Sequence, residues 1–135
     1  MTLQVGVKIF LKNKEGKYLL VKRSSENYKG TSGNWDIVGG RIEPGSTLIE
    51  NLKREVEEET NLQILSEPIL ICAQDIILKP ERHIVRLSYV GNTEGIPVLD
   101  TSENTEYKWL SLGGMKVQED LDIYVSDIVK RDLLR

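Results

Sequence analysis

The chain has 135 residues, 39% of them hydrophobic, enough for one domain with a single core and too few for two. Its 21 acidic and 18 basic side chains leave a formal charge of -3, which gives no support to a general attraction for a nucleic-acid polymer or an anionic membrane. Cys72 is the only cysteine, so an internal disulfide is excluded, and no segment has the length of a membrane span or the basic head of a secretion signal. A single domain over residues 1–135 in the cytoplasm is therefore expected.

Apolar side chains alternate with others over residues 3–10, at Leu3, Val5, Val7 and Ile9, the period of a strand with one buried face. After a turn at Asn13-Lys14-Glu15-Gly16, residues 17–23 cluster Tyr18, Leu19, Leu20 and Val21, and the two segments are expected to pair as a hairpin. Residues 24–34 are polar with two glycines and read as a loop, followed by a short strand from Trp35 that runs into Gly39-Gly40. Leu48, Leu52 and Val56 then recur every four residues between Thr47 and Thr60, which predicts an amphipathic helix. Thr47 followed by Glu50 forms a capping box at its start, and Asn61 supplies the left-handed residue at its end.

From Leu62 onwards β-like sequence is expected again. Residues 69–78 and 83–90 predict an antiparallel pair across Lys79-Pro80-Glu81-Arg82, and residues 106–110 predict a late strand. Beyond Gly113-Gly114, the spacing of Leu121, Tyr124, Val125, Ile128 and Val129 predicts a second helix against the sheet. Strands, helix, strands, helix in this order indicate an α+β, mixed-sheet layered domain.

Glu55, Glu58 and Glu59 project from neighbouring turns of one helix face. Each like-charged pair costs an isolated helix roughly 0.2–0.5 kcal/mol, and anions near a helix C-terminus are disfavoured by the dipole. A solvated acidic face is the plain reading of such a run. Its cost points instead to a bound cation, and carboxylate oxygens are the ligands Mg²⁺ takes while keeping waters and bridging to phosphates.

The segment from Gly39-Gly40-Arg41-Ile42-Glu43-Pro44-Gly45-Ser46 to Arg54-Glu55-Val56-Glu57-Glu58-Glu59-Thr60-Asn61-Leu62 resembles the Nudix box. Gly40, Arg54, Glu55, Val56, Glu58, Glu59 and Leu62 match its pattern. Ser46 stands where the box has its first Glu, and Asn61 where it has Gly. The resemblance, closest to the MutT-like members, implies a Nudix fold: an α/β/α sandwich with a mixed central sheet and an acidic loop-helix-loop.

It also implies Mg²⁺-dependent, or Mn²⁺-dependent, hydrolysis of a pyrophosphate bond in a nucleoside diphosphate derivative, with a nucleoside triphosphate as first choice. ADP-ribose or dinucleoside-polyphosphate cleavage is the runner-up, and a non-catalytic nucleotide-binding module the alternative that Ser46 keeps open. By resemblance, Glu55 and Glu59 are the principal metal ligands, Glu58 an additional or water-bridged one and the Gly39 carbonyl a further oxygen, while Arg54 orients a carboxylate and Gly40 and Arg23 meet the substrate. A homodimer is compatible with the sequence.

A proton acceptor is still required for the attacking water. In several Nudix enzymes a glutamate from the loop before the last strand fills this role; Glu94, Glu103 and Glu106 lie in or beside that loop, and by resemblance to the MutT-like members Glu103, six positions before Trp109, is the first choice. Trp35 is expected in packing more than in base stacking, and His83 and Cys72 are expected to be structural.

Overall fold

The computed structural model describes residues 1–24, 33–78 and 81–134. Its elements are β1 (Thr2–Lys12), β2 (Tyr18–Arg23), β3 (Trp35–Asp36), β4 (Val38–Arg41), α1 (Leu48–Thr60), β5 (Ile69–Leu78), β6 (Arg82–Asn92), β7 (Asn104–Leu110), α2 (Leu112–Lys116) and α3 (Ile123–Lys130). Most of the loop expected at residues 24–34, and the first half of the turn at residues 79–82, lie outside the described residues.

The mixed sheet runs β3-β2-β1-β6-β5, with β4 also on β1 and β7 also on β2. Central β1 pairs in parallel with β6 along its whole length, from Thr2 opposite Arg82 to Lys12 opposite Asn92. Its other edge is divided: Gly6 to Ile9 pair with Arg41 to Val38, and only Lys12 meets Tyr18 of β2. The expected hairpin is thus reduced to its turn, because the segment of β3 and β4 pairs first with β2 and then with β1 and takes most of the edge.

The period-two alternation of β1 sends Val7, Ile9 and Leu11 to one core and Phe10 to the other. The first core is closed by Leu52 and Val56 of α1, the second by Met115 of α2 and Val125, Ile128 and Val129 of α3. Helices on both faces make the expected α/β/α sandwich. Phe10, Leu20, Leu52 and Ile128 are completely buried, and each such side chain stabilises the fold by roughly 1.5–3 kcal/mol.

Three boundaries differ from expectation. Residues 62–68 form no strand, because Leu65 and Thr93 N–H groups bond to Asn92 and Lys12 carbonyls and tuck this segment across the strand ends. Gly113-Gly114 lies inside α2, whose N-cap Ser111 side chain accepts from the Gly114 N–H. β7 begins two residues early, at Asn104. No helix among the described residues is long and apolar enough to cross a membrane.

Candidate active site

Helix α1 starts and stops where its sequence dictates. Thr47 and Glu50 form the reciprocal capping box, and Asn61 ends the helix at φ 58°, ψ 19° with its N–H on the Glu57 carbonyl. The last turn is closed from outside, by the Val98 N–H on Thr60 O at 2.9 Å and the Asp100 N–H on Glu59 O at 3.3 Å. These bonds satisfy carbonyls that a helix end leaves without partners, and they fasten the chain after β6 to the acidic turn.

Glu55 and Glu59 face the Gly39-Gly40 segment of β4. Glu59 is the more enclosed: its Oε2 accepts from the Gly39 N–H at 3.1 Å and its Oε1 from the Asn104 side-chain amide at 3.2 Å. Gly39 sits at φ 150°, and a Cβ there would strike the Val7 carbonyl and Lys8; a Cβ on Gly40 would strike the Glu55 carboxylate. Glycine at both positions lets the strand pass this close to the acidic helix.

Burial pushes the Glu59 carboxyl up to about 7, with the neighbouring Glu55 charge adding to the shift and Lys8 opposing it. Burial also raises Glu55, against the pull of the Arg54 guanidinium. Two desolvated carboxylates that repel each other form a site that gains from a cation.

Glu58 takes a different position. It is exposed and lies 3.8 Å from Arg54, which also approaches Glu55 at 3.6 Å and Glu43 at 3.4 Å. Among the described residues no three acidic, His or Cys side chains converge on one point. Glu55 and Glu59 are brought together, and Glu58 is turned aside.

Arg54 is held by a residue the sequence reading did not single out. Asn51, fully buried in α1, accepts from Arg54 at 2.7 Å and from the Glu43 N–H at 2.8 Å. Its amide nitrogen donates to the Thr47 and Ser46 carbonyls. The only signal in the sequence was a polar residue on the apolar face, next to Leu52. Ser46 itself is exposed and contributes its main chain.

Arg23, expected at a substrate phosphate, is instead committed to an internal network. Its guanidinium pairs with Asp36 and Asp122 and donates to the Gly33 carbonyl at 3.2 Å. Asp36 also receives Lys8 at 3.1 Å and Arg86 at 3.0 Å. Burial would raise the Asp36 carboxyl, but Arg86, Lys8 and Arg23 together hold it well below the usual carboxylate range. Asp122 caps α3 by accepting from the Tyr124 and Val125 N–H groups, so the network joins that helix to the sheet.

The three loop acids separate clearly. Glu94 pairs with Lys14 at 3.3 Å and Glu106 with Lys22 at 3.5 Å, both on the surface. Glu103 is exposed; its carbonyl accepts from the Ser24 N–H at 2.9 Å, while the next residue, Asn104, turns inward to Glu59. Trp35 packs against the α3-side core under Lys108, His83 pairs with Asp75 at 2.7 Å, and Cys72 is buried.

An α/β/α sandwich that presses an acidic helix turn against a glycine strand defines a class, and the comparisons name it. The NUDIX domain model matches residues 2–129, and the chain belongs to the Nudix hydrolase family. The MutT protein of Methanosarcina mazei Go1 superposes with a TM-score of 0.79 at 28% identity, covering 96% of this chain and 91% of that one. The nucleoside triphosphatase NudI of Escherichia coli K12 is 30% identical over 131 residues, 90% of this chain and 87% of that protein.

The mouse 8-oxo-dGDP phosphatase NUDT18 is 31% identical over 111 residues, 81% of this chain; the match spans only 31% of that longer protein. The family acts with divalent cations.

Proposed function

We propose that residues 1–135 form one catalytic domain that hydrolyses a phosphoric anhydride bond of a nucleotide with Mg²⁺, Mn²⁺ substituting. The carrying observation is the pair Glu55 and Glu59, enclosed against Gly39-Gly40 with the Glu59 carboxyl raised to about 7. A hard divalent ion is commonly bound by one or two carboxylates, with water and substrate phosphates completing its shell, and this donor set fits that habit. The Gly39 carbonyl is a further donor in this reading, Glu58, set apart beside Arg54, acts through a bridging water, and Arg54, held by Asn51, orients Glu55. When bound, the ion supplies positive charge against the charge developing on the phosphoryl oxygens and makes water a better nucleophile.

Glu103 accepts the proton of the attacking water. It adjoins the residue that touches Glu59, and among the described residues its exposed carboxylate forms no ion pair, whereas Glu94 pairs with Lys14 and Glu106 with Lys22. Arg23 has no phosphate role here, since its charge is taken by Asp36 and Asp122.

The names of the relatives, a nucleoside triphosphatase and an 8-oxo-dGDP phosphatase, support a nucleoside di- or triphosphate as substrate. A triphosphate cleaved to monophosphate and pyrophosphate is the first choice.

The test is a panel of nucleotides and nucleotide sugars incubated with Mg²⁺ or Mn²⁺ and analysed for products. Metal-dependent cleavage is expected, lost in Glu59→Gln and lowered about 10²–10⁴-fold in kcat by Glu103→Gln, with Glu106→Gln nearly silent. Nucleotide binding with no cleavage by either metal would make the chain a binding module instead.

A further inference from the structure

We infer that Asn104 is a positioning residue that holds the Glu59 carboxylate in the orientation that receives the divalent ion; the inference rests on Glu59 being a metal ligand. The geometry begins in the register of β7 on β2. Lys22 lies opposite Glu106 and Arg23 opposite Asn104, so Thr105 is an extra residue on β7. Side chains along a strand alternate faces, and in an unbulged strand Asn104, two residues before Glu106, would share its outward face. The bulge turns it inward instead.

Asn104 is 4% exposed, and its amide nitrogen donates to Glu59 Oε1 while the Gly39 N–H donates to Oε2. The carboxylate is thus gripped at both oxygens by neutral donors, which fix its plane without cancelling its charge. Carboxylate oxygens accept more than one hydrogen bond or ligand each, so both remain open to a cation.

The grip is itself braced. Ser24 N–H bonds to the Glu103 carbonyl at 2.9 Å, and Glu103 and Asn104 N–H both bond to the Asp100 carbonyl at 3.0 Å. Asp100 N–H in turn reaches the main-chain carbonyl of Glu59. The loop therefore holds the same residue through its backbone and its side chain, so that the side-chain donor and the carboxylate keep their relative places. The neutral amide suits this role because a carboxylate in its place would face Glu59 as a like charge.

The experiment is titration of Mn²⁺ into the substrate-free protein, followed calorimetrically, for wild type, Glu59→Gln, Asn104→Leu and Asn104→Ala. Loss of a group that orients a metal ligand typically weakens affinity 10–100-fold, and that loss is expected in both Asn104 variants. Asn104→Ala adds no bulk and serves if the leucine variant does not fold; circular dichroism confirms which variants are folded. Unchanged Mn²⁺ affinity in a folded Asn104 variant, alongside a clear loss in Glu59→Gln, would overturn the inference and leave the metal site standing. Unchanged affinity in Glu59→Gln would overturn the metal role of Glu59, and this inference with it.

Discussion

Glu59 lies among groups that pull its ionisation in opposite directions: burial and Glu55 raise it, while Lys8, Asn104 and the Gly39 N–H lower it. The balance leaves the carboxyl at about 7, against an ordinary value of 4.5 in the unfolded chain. Below about 4.5 both states hold the proton and no penalty arises. As pH rises towards 7 the unfolded chain ionises first and is favoured, so Glu59 takes stability away from the metal-free protein across that window and no more above it. The melting temperature of metal-free wild type, measured relative to Glu59→Gln, is therefore expected to fall between about pH 4.5 and pH 7. A difference that stays flat would mean that the folded carboxyl ionises normally. Saturating Mg²⁺ is expected to remove the fall by favouring the ionised form.

At the scale of elements, α1 was legible in full. Its apolar spacing, the Thr47 and Glu50 cap and the Asn61 terminus are local chemistry, and each took the expected form. The acidic pattern suggested three convergent carboxylates, whereas the structure brings Glu55 and Glu59 together and leaves Glu58 exposed beside Arg54. Asn104 was not legible, since its direction depends on one extra residue in a strand whose partner lies far away in sequence. The internal pairing of Arg23 was hidden for the same reason: Asp36 and Asp122 reach it only through the tertiary fold.

The loop leading into α1 gives a further test. Ser46 is exposed, and the order of this turn comes from Asn51 and the Thr47 cap without help from a carboxylate at position 46. Ser46→Glu is expected to change kcat/KM by less than about tenfold, roughly 1.4 kcal/mol in barrier. A gain of several orders of magnitude would identify the serine as the residue that limits the natural protein.

Across the whole molecule, both faces of the sheet are closed by apolar packing, and one carries a charged network besides. On the α3 face Lys8, Arg23 and Arg86 meet Asp36 and Asp122 beneath the start of the helix. Removing one partner of a buried ion pair leaves the others desolvated and uncompensated, at a cost of about 3–5 kcal/mol. Asp36→Asn is expected to lower unfolding stability by about that amount in denaturant titration. A loss below about 1 kcal/mol would show that the three cations find other partners or water.

The same architecture bears on how the chain reaches its native state. β1 forms its longest ladder with β6, so Thr2 must find Arg82 before the middle of the sheet exists. Closing a loop of that size costs entropy before the contacts reward it, and folds dominated by such distant pairings form on the millisecond-to-second scale. Helix α1, with its local caps, has no such wait, yet Glu59 acquires its partners only once β4 and β7 are in place. A helix formed ahead of the sheet would carry the acidic turn without the Gly39 and Asn104 donors, so competence to bind the ion would appear with the docking of β4 and β7 and serve as a reporter of it.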